Sequence, residues 1–206
     1  MTALLLLSLL ASPKLSRVLE DVERHYNGVR TLQVEFEETL SGPGRPRISE
    51  SGRLYLRKPG RMRWDYKTPQ GKLFLSDGKD VYYYNPTTKQ AERMKLRETE
   101  DMRAPLAFLL GRLDFQKDFT NFQSRSEGGD VIVTATPKSD KMPYKQVEFA
   151  VSAQREIRRL VVTGHDNALL SFRFTDERMN PALADTLFRF VMPAGGQWVE
   201  ASTAAQ

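Results

Sequence analysis

The sequence predicts a mainly β protein in which one continuous antiparallel sheet or barrel is accompanied by two helices. Apolar and polar residues alternate with a period of two over many short segments, separated by turn residues about every 10 to 12 positions. Apolar residues recur at the helical spacing of three and four in only two segments, one near the N terminus and one in the middle. Neither a repeat nor a domain boundary is visible, so we expect a single domain over residues 12–200.

Composition limits the classes of function. The chain has 206 residues, of which 28% are charged and 40% hydrophobic, as in soluble globular proteins. A net charge of +5 could suit nucleic acid or an anionic membrane surface. However, Lys and Arg alternate with Asp and Glu along the predicted strands and no nucleic-acid motif is visible, so we expect no nucleic-acid partner. Cysteine is absent, which excludes disulfides, thiolate nucleophiles, Cys-based metal sites and thiol-linked lipid anchors.

The first residues read as a targeting segment. Ala3–Ala11 is rich in Leu but far shorter than the about 20 residues that span a bilayer. It resembles the apolar core of a secretory signal peptide, although the usual basic residues before it are missing. We therefore expect a signal peptide over residues 1–11 and a protein outside the cytoplasm; the alternative is an ordinary buried N-terminal segment.

A helix is predicted directly afterwards. Ser12 is a good N-cap and Pro13 suits the first helical position. His25 lies beside the apolar stripe of this helix without a partner pattern, which favours a surface or edge histidine over a ligand. The stripe contains Leu15, Val18, Leu19, Val22, Tyr26 and Val29.

From Leu32 the period changes to two, and a loop is predicted at Ser41–Arg47 from its composition. The stretch Gly52–Gln90 then reads as four short strands, and its Asp77-Gly78 pair predicts a type I′ hairpin turn. Within Arg61–Lys67 apolar and charged residues alternate cleanly, so one face of the sheet is apolar and the other is solvated.

The second half begins with a short apolar helix at Pro105–Leu113 and then returns to strands. The residues after 200 are expected to be a disordered tail, residues 201–206. The predicted strands are Lys89–Leu96, Asp130–Thr136, Tyr144–Val151, Glu156–Thr163, Ala168–Thr175 and a final one near Leu187–Met192.

No catalytic constellation is visible. His165 lies in a Gly-His-Asp-Asn turn, and Ser76-Asp77 reads as hairpin chemistry. Nucleophile motifs, phosphate-binding glycine loops and metal-spaced clusters are missing from the sequence. We expect no enzyme, no cofactor and no metal. The apolar face of the sheet is then either an ordinary core or the lining of a pocket for hydrocarbon, and periodicity alone cannot separate the two.

The stretch Gly52–Gln90 also carries a family resemblance. It is similar to the LolA family of periplasmic carriers of outer-membrane lipoproteins, while Pro105–Gly111 is similar to the apolar lid helix of that family and Leu187–Gly195 to its closing strand. The matching positions are Gly52, Leu54, Pro59, Trp64, Pro69, Leu75–Lys79, Tyr84–Pro86 and Gln90.

The resemblance implies an incomplete antiparallel β-barrel of about 11 strands with a lid of short α-helices over an apolar cavity. It implies a periplasmic, monomeric carrier that takes acylated lipoproteins from an inner-membrane ABC transporter to a LolB-type receptor at the outer membrane. Because that receptor is anchored through an N-terminal Cys and this chain has none, the chain resembles the soluble carrier. A related periplasmic module that binds a lipid or glycolipid, or senses envelope stress, is the alternative.

The resemblance also implies site residues. The family has an Arg before the residue that is here Pro59, and this Arg latches the lid; the present chain has Lys58, preceded by Arg57. Lys58 is therefore the latch candidate, although it lacks the planar fork of Arg and could be a solvated strand-end residue. The predicted acyl-chain cavity is lined by Phe36, Leu54, Leu56, Met62, Trp64, Leu75, Tyr83, Leu106, Leu109 and Leu110.

Overall fold

The computed structural model describes residues 13–96 and 113–200. The predicted signal peptide, the tail 201–206 and, apart from Leu113, the helix predicted at Pro105–Leu113 lie outside the described residues. The helical elements are α1 (Pro13–Asn27), α2 (Phe115–Asp118) and a 3₁₀ helix (Asp185–Phe188). The strands are β1 (Thr31–Gly42), β2 (Arg45–Arg57), β3 (Arg61–Thr68), β4 (Leu73–Asp77), β5 (Asp80–Asn85), β6 (Gln90–Lys95), β7 (Phe119–Glu127), β8 (Asp130–Pro137), β9 (Tyr144–Val151), β10 (Ile157–Gly164), β11 (Leu169–Met179) and β12 (Gln197–Trp198).

All twelve strands belong to one sheet, in the order β12-β6-β5-β4-β3-β2-β1-β11-β10-β9-β8-β7. Neighbours are antiparallel, except that β12 runs parallel to β6. The pairing of β1 with β11 brings the first and the last long strands together. Among the described residues, the end strands β12 and β7 are not paired with each other, so the sheet is open. The predicted incomplete barrel is thus confirmed, with twelve strands where about 11 were expected.

Local sequence explains the tight turns. At the β4–β5 hairpin, Gly78 has φ +99°, and the Asp77 carboxylate accepts hydrogen bonds of 2.8 Å from the backbone N–H groups of Lys79 and Asp80. In β2, a Cβ on Gly52 would lie 2.1 Å from the carbonyl oxygen of Asp65, so only glycine fits where the register shifts against β3. These positions fix the register of the central strands.

The core lies between α1 and one face of the sheet, here termed the inner face. The apolar stripe of α1 is buried along its length, as predicted from its spacing. Its partners come from both halves of the sheet, which curves around the helix. They include Leu32, Val34, Phe36, Leu54, Leu56, Met62, Trp64, Val133, Val147, Phe149, Leu160 and Phe172.

The chain after β11 covers part of the other, outer face. Residues 181–200, here termed the C-terminal strap, cross β3, β4 and β5. Arg57 binds the strap through the Asp185 carboxylate and the carbonyl oxygen of Leu183, and Arg63 donates to the carbonyl oxygen of Leu187 at 3.1 Å. Beneath the strap lies a second apolar cluster of Leu73, Leu75, Tyr84 and Ala91 with Tyr82, Phe190 and Met192.

Three sequence predictions need correction. The strand expected at Leu187–Met192 is wrong: this part of the strap lies across the sheet, and the strand pairing occurs at β12 instead. The loop expected at Ser41–Arg47 is a tight hairpin, because β1 continues to Gly42 and β2 begins at Arg45. Strand β7 was not predicted, since it is an exposed edge strand whose polar residues show no alternation.

Candidate functional site

The predicted cavity residues of β1–β5 form an ordered wall on the inner face. Phe36, Leu54, Leu56, Met62 and Trp64 are all buried there. Because directly opposed residues of antiparallel strands share a face, the register defines one apolar row across five strands. That row runs Val34, Leu54, Trp64, Phe74 and Tyr83. The first four members are buried and Tyr83 is half-buried.

Aromatic rings occupy the centre of this wall. The rings of Phe36 and Trp64 meet edge to face with centroids 4.6 Å apart, and Phe36 meets Tyr66 in the same way at 5.1 Å. The ring of Phe172, on β11, lies 5.7 Å from Trp64. The sequence shows that Phe172 alternates with polar residues, but its place beside Trp64 depends on the pairing of β1 with β11, which local sequence does not reveal.

The prediction placed Leu75 on the wrong face. Leu75 pairs with Arg63 and Tyr82 and belongs to the outer cluster beneath the strap, whereas its neighbour Phe74 lies in the inner row. Every residue from Leu73 to Ser76 is buried, because α1 covers one face of β4 and the strap covers the other. A strand buried on both sides shows no alternation, so the sequence could not distinguish the two faces.

Leu106, Leu109 and Leu110, the predicted lid residues, lie outside the described residues. The chain that follows them is tied to α1. Asn27 donates to the carbonyl oxygen of Leu113 at 2.8 Å and accepts from its N–H at 2.7 Å, and Glu23 accepts from the N–H of Phe115 at 2.7 Å. Three hydrogen bonds thus join the second half of α1 to residues 113–115.

Lys58 reaches the C-terminal turn of α1. Its Nζ donates to the carbonyl oxygen of Tyr26 at 2.9 Å, and its backbone N–H donates to Arg30. A cation near the last carbonyl groups of a helix is favourable, because these carry partial negative charge and lack helical partners. Burial lowers the pKa of Lys58. Of these two adjacent cations, Lys58 contacts the helix, whereas Arg57 binds the strap.

The same turn of α1 is anchored to the opposite half of the sheet. The Tyr26 hydroxyl donates to Glu177 at 2.8 Å and accepts from the N–H of Ile157 at 2.8 Å. His25 contacts the other oxygen of Glu177 at 2.8 Å, so this helix-edge histidine has a carboxylate partner that the sequence did not reveal. Burial and then the charge of Glu177 raise the pKa of Tyr26 well above its ordinary value. The end of α1 thus bridges β2 and β11.

The space beneath this turn is small. A cavity of about 10 Å³ holds one water at most. Its lining is formed by Tyr26, Val29, Arg30, Leu32, Leu56 and Lys58. The last turn of α1 therefore packs closely on the sheet at this point.

Other polar groups have structural roles. His165 contacts the carbonyl oxygen of Met142 at 3.0 Å in an exposed turn, and the Ser76 hydroxyl donates to Gly60 at 2.7 Å. Within residues 13–96 and 113–200, His, Asp and Glu nowhere form a group of three that could hold a metal ion. In the same residues no helix is both long and apolar enough to cross a membrane.

An open, largely antiparallel sheet whose apolar inner face is packed against a helix defines a half-barrel class of protein. The sequence comparison gives the particular family. The chain matches the family described as outer membrane lipoprotein carrier protein LolA over residues 27–191, and it belongs to that family.

Individual relatives agree with this assignment. The chain is 29% identical over 171 residues to an outer-membrane lipoprotein carrier protein of Dechloromonas aromatica, covering 82% of this chain and 81% of that one. It is 26% identical over 197 residues to the protein of the same name from Chromobacterium violaceum, covering 95% and 93%. An uncharacterized conserved protein from Thermus thermophilus has the same fold, with a TM-score of 0.56 at 12% identity over 91% of this chain and 99% of that one.

Proposed function

We propose that this protein shields the acyl chains of outer-membrane lipoproteins and carries them through the periplasm. The observation that carries the proposal is the apolar row from Val34 to Tyr83, which crosses five strands and is covered by a helix and not by a second sheet. A helix held by a few polar contacts can be displaced without breaking the sheet. Membership of the lipoprotein carrier family supports this use of the inner face.

The energetics explain why such a carrier needs a closing device. Burial of one methylene group is worth roughly 0.8 kcal/mol, so a sixteen-carbon chain gains on the order of 12 kcal/mol before the costs of ordering. A permanently open cavity would bind so tightly that release would be slow. The cost of displacing a bound cover offsets part of this gain, which makes delivery to a receptor feasible.

In this proposal α1 is part of the cover and Lys58 is its latch. The contacts of Lys58 and Glu177 with the last turn of α1 hold the helix on the inner face. The contacts of Asn27 and Glu23 carry the displacement to residues 113–115 and so toward the segment with Leu106, Leu109 and Leu110, which we propose completes the lid.

The remaining roles follow from the same family. We propose that the donor is an inner-membrane ABC transporter, that the acceptor is a LolB-type receptor and that the carrier acts as a monomer without cofactor or catalytic residue. The alternative of a glycolipid-binding or stress-sensing module is less well supported, because the sequence relatives described above are named as lipoprotein carriers.

Cargo capture tests the proposal. The protein is purified together with a lipoprotein in its acylated form or with the same lipoprotein whose acylated Cys is replaced by Ser. We expect a soluble complex with the acylated form alone. Leu109→Glu in the proposed lid should abolish the complex and leave the circular dichroism and melting temperature unchanged. Equal capture of both forms would contradict an acyl-chain site, and native mass spectrometry showing a free lipid in place of a lipoprotein would favour the alternative.

A further inference from the structure

A group of packed aromatic side chains lies on the outer face, where the strap crosses the sheet. The ring of Phe190 stacks on Tyr82 with centroids 5.0 Å apart, and Trp198 packs on Phe190 at 5.3 Å. Even so, Trp198 is 54% exposed, and Val191, next to Phe190, is 76% exposed. We term Tyr82, Phe190, Val191 and Trp198 the aromatic patch.

Single exposed apolar residues are common, but this group is different because its rings are fixed against one another. Tyr82 is supplied by a central hairpin, Phe190 by the middle of the strap and Trp198 by the short strand that ends it. The backbone N–H groups of Gln197 and Val199 donate to β6 at 2.9 Å, which holds the Trp198 side chain at the sheet edge. Half of a rigid indole thus faces outward.

Charged side chains surround the patch. Arg93 lies 5.8 Å above the Tyr82 ring and shares the buried Asp80 with Lys95. The Tyr82 hydroxyl donates to the Asp77 carboxylate at 3.1 Å, so the two cations and two carboxylates of this cluster balance. Two further cations are exposed. Lys89 directly precedes β6, and Arg189 directly precedes Phe190 in the strap.

On the other side of the strap, Asp185 is shared by Arg57 and Arg61, and this second cluster retains one positive charge. The strap carries one further acid, Glu200. The balance of charge around the patch is therefore positive.

We propose that the aromatic patch docks the protein on an anionic membrane surface. Trp and Tyr favour the headgroup region of a bilayer, where their rings are half apolar and half hydrated. Lys and Arg near such a surface are attracted to anionic lipids. The exposed Trp198, the exposed Val191 next to its ring partner Phe190 and the net positive charge of the surrounding side chains have both features. The proposal goes beyond cargo carriage, because it uses the face opposite the apolar wall and predicts binding in the absence of any lipoprotein.

The two tryptophans make the test direct. Trp64 is fully buried, so it provides a constant signal, and Trp198 alone can report a change at the surface. The full chain is mixed with vesicles of phosphatidylcholine containing about 30% phosphatidylglycerol, or with phosphatidylcholine vesicles alone. We expect a blue shift of tryptophan fluorescence and cosedimentation with the anionic vesicles, both weakened by salt.

Variants separate the two contributions. Lys89→Gln combined with Arg189→Gln leaves the ion pairs of Asp80 intact and should weaken cosedimentation roughly fivefold for each charge removed. Val191→Ser and Trp198→Ser should each weaken it as well, and Val191→Ser avoids any effect on β12. The matched controls are Ile48→Ser, an apolar residue that is 49% exposed on the β1–β2 hairpin, and Lys141→Gln combined with Lys145→Gln. These controls should bind like the parent protein.

Three results would overturn the proposal: no binding to anionic vesicles, equal binding to neutral vesicles, or equal losses in the control variants. Binding to an acidic peptide such as polyglutamate without binding to vesicles would also overturn it, since the patch would then recognise a protein. Capture of acylated cargo is measured without vesicles, so its outcome stays separate from this one.

Discussion

The ammonium group of Lys58 donates a hydrogen bond of 2.9 Å to the carbonyl oxygen of Tyr26. This contact joins the end of β2 to the last turn of α1, and the hydroxyl of the same tyrosine binds Glu177 on β11. One residue of the helix is thus held from both halves of the open sheet. In the proposed mechanism, this turn holds α1 in its closed position.

Lys58→Leu removes the hydrogen bond to Tyr26 and keeps the apolar part of the side chain. Because the closed state loses about 1 kcal/mol relative to the open one, the affinity for an acyl ligand should rise about fivefold and its release should slow. The measurement is the dissociation rate of a fluorescent fatty acyl probe. Lys58→Arg keeps a donor and serves as the control; identical rates for all three proteins would remove Lys58 from the latch.

Tyr26→Phe tests the other side of the same turn. The change leaves the N–H of Ile157 without its acceptor and deprives Glu177 of a donor, so the free energy of unfolding should fall by about 1 to 3 kcal/mol. Urea denaturation measures it. Tyr55→Phe removes a hydroxyl that has only a 3.4 Å contact with Arg53 and should change stability little. A similar decrease in the free energy of unfolding in both variants would contradict a specific contribution of the Tyr26 hydroxyl.

Asn27→Ala should uncouple α1 from the chain beyond the proposed lid. The N–H of Leu113 loses its acceptor, so its hydrogen exchange should accelerate, whereas Phe115, bound by Glu23, should keep its protection. Asn27→Asp retains an acceptor for the N–H of Leu113, so this N–H should exchange more slowly in Asn27→Asp than in Asn27→Ala. Unchanged exchange at Leu113 in Asn27→Ala would contradict the coupling.

The buried Tyr144, on the inner face, should make the protein less stable at alkaline pH. Burial, and next the charge of Asp118, raises the pKa of Tyr144 from 10.0 to about 12. Between these values the unfolded chain loses the proton and the folded protein keeps it, so the free energy of unfolding falls as the pH rises, by at most about 3 kcal/mol. Tyr144→Phe should abolish this part of the decrease in urea titrations from about pH 9 to about pH 12. If Tyr144→Phe kept the pH dependence of the parent protein, Tyr144 would not cause this decrease.

Much of the architecture follows from local sequence. The stripe of α1, the alternation of β3 and the hairpin at Asp77-Gly78 each depend on neighbours in the chain, and the structure confirms all three. The predicted type I′ geometry of that hairpin is wrong, because Gly78 has a φ of +99° whereas Lys79, the second turn residue, has no positive φ. Leu75 was misplaced because its strand is covered on both faces, and the second covering comes from residues more than a hundred positions away. Phe172 was missed because only the pairing of β1 with β11, which are far apart in the sequence, brings it to Trp64.

Lys58 shows how far the site itself could be predicted. Alternation along β2 put its side chain on the inner side, and the family resemblance suggested contact with helix backbone, which the structure shows at Tyr26. The partners His25, Glu177 and Ile157 come from distant parts of the chain and leave no pattern in the sequence. Tertiary pairing of polar side chains was thus the part that sequence could not supply.

Photo-crosslinking at two adjacent tyrosines tests the central claim most directly. Tyr83 belongs to the inner row, whereas Tyr82 lies on the outer face, and benzoylphenylalanine can replace either ring with another aromatic group. Each variant is loaded with an acylated lipoprotein, purified without membranes and irradiated. We predict crosslinks to the acyl chains from position 83 and none above background from position 82. Crosslinks from position 82 alone, or equally from both positions, would contradict an acyl-chain site on the inner face.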